Sequence, residues 1–96
     1  MAKTQSVAWS PAAVDALQII YNYYAEFSEH TAQKIVNELV DLAENITFPE
    51  QYQQDELSPK YRRAIIRHYK MLYRVDKQTI YIVTIFDTRQ RPLSIE

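Results

Sequence analysis

The 96-residue chain sets 11 Lys+Arg against 12 Asp+Glu, is 47% hydrophobic, and contains neither glycine nor cysteine. Without glycine it cannot build a Walker-type phosphate loop or a GxGxxG dinucleotide turn; without cysteine it has no disulfide, thiolate metal site, iron–sulfur cluster or Cys nucleophile. A length near 100 residues fits one domain with one modest core, and with no N-terminal apolar run of the kind a signal peptide needs and no stretch of ~20 apolar residues, a soluble cytoplasmic domain is expected.

Lys-Thr-Gln-Ser-Val-Ala-Trp at 3–9 reads as a short strand. Ser10 then caps a helix whose first position is Pro11, where the missing N–H costs nothing. Ala13, Leu17, Ile20, Tyr24 and Phe27 recur at helical spacing, which predicts a helix over 11–26. Ser28 caps a second helix with an apolar stripe of Ala32, Ile35, Val36, Leu39, Leu42, Ala43 and Ile46. The short link between the two predicts an antiparallel helical hairpin.

Residues 47–60 contain two prolines and a polar interior, and form a long loop. Strands follow at Tyr61–Tyr69, Lys70–Val75 and Ile80–Phe86. The last is almost wholly apolar or aromatic, as a central strand covered on both faces would be. The turn Asp76-Lys77-Gln78-Thr79 lacks glycine, so a tight primed turn is not expected unless Asp76 accepts positive φ. Asp87–Glu96 is a polar tail in which Pro92 bars regular pairing. The order β-α-α-β-β-β defines an α+β fold, with the helical hairpin packed on one face of a twisted antiparallel sheet. Arg and Tyr residues are then left on the opposite face.

The formal net charge of −1 conceals an asymmetry. Residues 1–58 carry two basic and nine acidic residues, net −7, whereas 59–96 carry nine basic and three acidic, net +6. Either the halves pair with each other across the surface, or the C-terminal half meets a polyanionic partner. Six of those nine cations are arginine, suited to bidentate contact with carboxylate or phosphate. Arg62, Arg63, Arg67, Arg74, Arg89 and Arg91, interleaved with Tyr61, Tyr69 and Tyr73, combine phosphate contact with ring stacking, the recipe for single-stranded nucleic acid. The same set suits an acidic peptide, or a plain solvated sheet edge. His68, within a predicted strand, is either a general base or a structural hydrogen-bonder. Glu50, Asp55 and Glu56 read as solvated loop carboxylates, or as an acid or base beside the Arg face; Tyr21, Tyr23 and Tyr24 read as packing residues, and Trp9 as a core or interface anchor. His30 and His68 alone give no metal-ligand spacing, so no metal or cofactor is expected.

Trp9-Ser10-Pro11-Ala12-Ala13, Phe48-Pro49-Glu50, Tyr61-Arg62-Arg63, Tyr69-Lys70-Met71-Leu72-Tyr73-Arg74-Val75 and Ile85-Phe86-Asp87-Thr88-Arg89-Gln90-Arg91-Pro92, in this order and spacing, resemble the RelE/ParE superfamily of toxins from bacterial toxin–antitoxin (plasmid stabilisation) modules. The resemblance implies a cognate antitoxin as partner; a homodimer or a hetero-oligomer with that antitoxin is expected, and, from the lack of a long apolar stretch, no membrane. It also implies one of two activities. RelE-like members are ribosome-dependent endoribonucleases; here Arg63, Arg67, His68, Tyr69 and Arg89 would serve. ParE-like members inhibit DNA gyrase by protein contact. The tail after Phe86 lacks the Tyr or His-Tyr pair usual in the nucleases, and the pI of about 6.1 is low for a ribosome binder. The ParE-like branch is therefore expected, with Tyr61, Arg62, Arg63, Arg67, Tyr73, Arg74, Arg89 and Arg91 as the binding face. A nuclease and a non-toxic antitoxin-binding relative are the alternatives.

Overall fold

The computed structural model describes residues 6–89. The expected strand start at Lys3, and the tail with Arg91, lie outside them. The elements are β1 (Ser6–Trp9), α1 (Pro11–Ala25), α2 (Glu29–Glu44), a 3-10 turn (Pro49–Gln51), β2 (Arg62–Ile66), β3 (Tyr69–Asp76) and β4 (Thr79–Asp87).

Both serine caps form. Ser10 Oγ accepts the Ala13 N–H at 3.0 Å and donates to the Val83 carbonyl at 2.7 Å, so one hydroxyl starts α1 and ties it to β4. Ser28 Oγ accepts from the Thr31 N–H at 3.2 Å. Each cap satisfies an amide that has no partner within its helix. The buried stripe of α2 is Ala32, Ile35, Leu39 and Ala43, at the predicted spacing. On α1, Ala13 and Ile20 are buried, but Phe27 is 72% exposed. The helix ends at Ala25, so Phe27 falls in the connecting turn and leaves the apolar face.

The sheet order is β1-β4-β3-β2, which makes β4 a central strand. β2, β3 and β4 form an antiparallel meander. β1 joins β4 in parallel, from Ser6 beside Thr79 to Trp9 beside Ile82, so the sheet is mixed rather than antiparallel throughout. The helical hairpin between β1 and the meander is a crossover long enough to bring β1 back in that direction. Leu72 pairs with Thr84 but Tyr73 with Ile82, so Val83 is an extra residue and β4 bulges there.

The stretch 61–69 is not one strand. β2 stops at Ile66 and β3 starts at Tyr69, leaving Arg67-His68 as a two-residue turn. His68 therefore sits in a turn, not in a strand. Arg67 has φ 55° and Lys77, the first loop residue of the next hairpin, φ 59°. Tight hairpins need positive φ to match strand twist. Lacking glycine, the chain places unbranched basic residues there, at roughly 1–2 kcal/mol each; at the second hairpin Lys77, not Asp76, takes the strained position.

The core lies between the helices and one sheet face. Ile20, Ile35, Leu39 and Ile46 meet Ala64, Tyr69, Met71, Tyr73, Ile80, Ile82 and Ile85. The long loop does not hang free. The Asp55 amide donates to the Tyr61 carbonyl and the Arg63 amide to the Gln53 carbonyl, a short ladder beside β2.

Candidate functional site

Alternation along β2 and β3 places Arg63, Ile65, Lys70, Leu72 and Arg74 on the face away from the helices, but that face is not the open cationic surface expected. The 47–61 loop occupies part of it. Lys70 Nζ reaches Asp55 Oδ1 at 2.7 Å, and Asp55 is 2% exposed, not a solvated carboxylate. The amides of Leu57 and Ser58 donate to its other oxygen. Burial pushes the Asp55 carboxyl up, but the Lys70 and amide hydrogen bonds outweigh it and hold it below the usual range. Arg63 donates to the Gln54 carbonyl and the Gln53 side chain, again holding the loop.

The remaining expected face residues scatter. Arg62, on the helix-facing side of β2, donates to the Tyr52 carbonyl at 2.8 Å. Tyr73 is fully buried; its hydroxyl donates to the Pro49 carbonyl and accepts from the Tyr52 amide. It is a core residue because its strand position points at the helices, so it leaves the binding face. Tyr61 is half-buried at the end of the loop. Arg67 turns toward α2, where Nε and Nη2 meet the two carboxylate oxygens of Glu38 at 2.6 and 3.0 Å. Arg89 forms the matching fork on Asp87 at 3.2 and 3.1 Å.

Around these two forks the chain does assemble a polar cluster. His68 Nε2 lies 3.4 Å from Tyr24 Oη and 3.9 Å from Asp87 Oδ2. Tyr69 Oη donates to Tyr24 Oη at 3.3 Å, and the Tyr69 ring stacks obliquely on His68, centroids 4.4 Å apart. The Thr88 amide and hydroxyl both donate to the His68 carbonyl, fixing the turn to the end of β4. Burial, then the Tyr24 hydrogen bond, push the Tyr69 phenol far above its ordinary value. The Arg89 fork holds the Asp87 carboxyl low, and the Arg67 fork does the same for Glu38. A phenol so hard to ionise gives up its proton poorly, and carboxylates so held stay ionised.

Beside this cluster a cleft of about 320 Å³ opens between α1 and the end of β4. Ala16, Ile19, Ile20 and Tyr23 form its helix wall, Tyr69, Ile85 and Phe86 its sheet wall, and Asp87 with Arg89 its polar end. Ile19 and Tyr23 are 67% and 56% exposed, an apolar rim to the cleft. Tyr23, expected from the sequence to be a packing residue, instead forms part of this wall. The one available signal was that Ile19 and Tyr23 stand four apart, outside the buried stripe. Among the described residues no three His, Asp or Glu side chains converge as a metal site.

Solved structures share this arrangement of a helical hairpin on a four-stranded sheet. The chain is similar to the chromosomal ParDE system of P. aeruginosa, at TM-score 0.72 and 21% identity over 88% of this chain and 96% of that one. It is also similar to the RelBE2 toxin–antitoxin complex of Mycobacterium tuberculosis, at TM-score 0.63 and 19% identity over 88% and 91%. No curated protein matches the sequence. Residues 7–92 match the model of the ParE toxin of the type II toxin–antitoxin system parDE, and the chain belongs to that family.

Proposed function

We propose that this protein is a cytoplasmic ParE-like toxin of a plasmid-stabilisation module that inhibits DNA gyrase by protein contact, without chemistry of its own, and is neutralised by a cognate antitoxin. The observation that carries this reading is the engagement of the groups a phosphate-cleaving site would need. Arg67 and Arg89 are each forked onto a carboxylate, Arg62 and Arg63 hold loop carbonyls, and Tyr69 is driven away from ionisation. A scissile phosphate would have to displace two charge-assisted forks before any transition-state charge could be stabilised. The apolar α1–β4 cleft supports the antitoxin as its occupant, through the apolar face of an amphipathic helix.

A ribosome-dependent endoribonuclease is the second reading, favoured by the grouping of His68, Tyr24, Tyr69 and Arg89 at the cleft. Antitoxin-free protein separates the two. Inhibition of gyrase supercoiling, with translated mRNA intact, is expected; mRNA cleavage with gyrase unaffected overturns the proposal. The non-toxic alternative is excluded if induction of the chain arrests bacterial growth.

A further inference from the structure

Arg74 differs from the other arginines of β2, β3 and their turn. Its guanidinium carbon lies 4.5 Å from the ring centroid of Tyr81, its partner across the β3–β4 ladder. Among the described residues no carboxylate lies within salt-bridge distance of it, although Asp76 stands two positions along the same strand. Arg62, the first residue of β2, pairs with Tyr73, and continuing that register one residue past the end of the strand puts Tyr61 on the other side of Arg74. Lys60 Nζ lies 5.6 Å from the Tyr61 ring. The row Tyr61–Arg74–Tyr81 thus crosses the sheet on the face away from the helices, and Arg74 is exposed. The α1–β4 cleft is on the helix side, beyond the opposite end of β3.

We infer that the Tyr61–Arg74–Tyr81 row is the surface on which this toxin takes hold of an acidic segment of its target protein, separately from the cleft that receives the antitoxin. The inference rests on the reading that the toxin acts by protein contact. An arginine already held over a ring has less freedom left to lose on binding, and Arg and Tyr are among the residue types enriched in interface hot spots. Charge complementarity selects the occupant. The cations at this end are Arg74, Lys60 and Lys77. Three suffice for one or two carboxylates, whereas nucleic-acid affinity rises with each phosphate neutralised, and the −7 N-terminal half would repel a long polyphosphate.

The test compares the wild type with Arg74→Ala and Arg74→Lys, each checked by circular dichroism, for growth arrest on induction, for binding to purified gyrase subunits, and for capture by the cognate antitoxin. Arg74→Ala is expected to lose about 30-fold in gyrase affinity, to relieve growth arrest, and to bind antitoxin as the wild type does. Arg74→Lys, keeping charge but not the planar fork, should recover only part of the loss. Growth arrest by Arg74→Ala at wild-type potency overturns the inference, as does loss of antitoxin capture by a folded variant. Binding of a 20-mer oligothymidine that disappears with Arg74→Ala also overturns it, because the occupant is then nucleic acid. A wild type that arrests growth without binding gyrase refutes the gyrase reading alone, and the growth result with Arg74→Ala still decides the surface. A wild type that does neither overturns both.

Discussion

Lys70 and Asp55 form a buried ion pair, Nζ to Oδ1 at 2.7 Å, with the carboxylate also accepting two amides of its own loop. The pair clamps the 47–61 loop onto the face of the sheet that the helices leave uncovered, and so removes one cation from that face. Asp55→Ala strands the Lys70 ammonium, which is only 13% exposed. The expected cost is about 3 kcal/mol, a large share of the stability of so small a domain, measured by urea unfolding. The pH dependence has a definite sign. The folded carboxyl titrates below the unfolded one, so the pair's contribution is present above a pH of about 4 and is lost as pH falls through the lower folded value. Asp55→Ala should flatten that acid limb.

Alkaline stability runs the other way. Burial raises the phenols of both Tyr69 and Tyr73. Above the ordinary tyrosine pKa of about 10, the unfolded chain gives up these protons and the folded chain does not. Stability should fall as pH rises past that value. Spectrophotometric titration should show two phenols that ionise only with unfolding; their titration alongside the exposed tyrosines counts against the burial argument.

Tyr73→Phe removes the hydroxyl that joins the core to the loop, and leaves the Pro49 carbonyl and Tyr52 amide without that partner. A cost of about 1–3 kcal/mol is expected. Hydrogen exchange at the Tyr52 amide should accelerate more than exchange in α2, because the loop loosens before the core does.

Lys77→Gly should stabilise the fold. Lys77 holds φ 59° with a Cβ in place, and removing the Cβ relieves roughly 1–2 kcal/mol of strain, partly offset by the greater freedom of glycine when unfolded. The net gain expected is about 0.5–1 kcal/mol, seen as a rise of a few degrees in Tm. At Arg67 the same change would also break the Glu38 fork, so a smaller gain or a loss is expected there.

Ile19→Asp places a charge on the apolar helix wall of the cleft without touching the core. It should leave the unfolding free energy within about 0.5 kcal/mol of wild type and abolish antitoxin capture by co-purification. Unchanged capture would remove the cleft from the antitoxin interface.

Helix starts, the helical hairpin, the central position of β4 and the α+β class were all legible in the chain, because they follow from local rules. A serine before a proline caps a helix, apolar residues at three and four define its buried side, and an unbroken apolar run suits an inner strand. The tight turn at Arg67-His68 was hidden, since hairpin turns normally announce themselves with glycine or asparagine and this one uses neither. The parallel placement of β1 was equally invisible, as pairing partners about 73 residues apart leave no trace in either segment.

The sequence by itself determined which side chains exist to make a surface: nine cations after residue 58, eight tyrosines, and no glycine or cysteine chemistry. Only the tertiary structure decided which of those cations stay available. Glu38 meets Arg67 across 29 positions and Asp55 meets Lys70 across 15. Such pairings depend on where strand ends and helix faces come to rest. A count of charges records their number and sign, whereas a few ångströms of separation decide whether each is held by its own chain or offered to another.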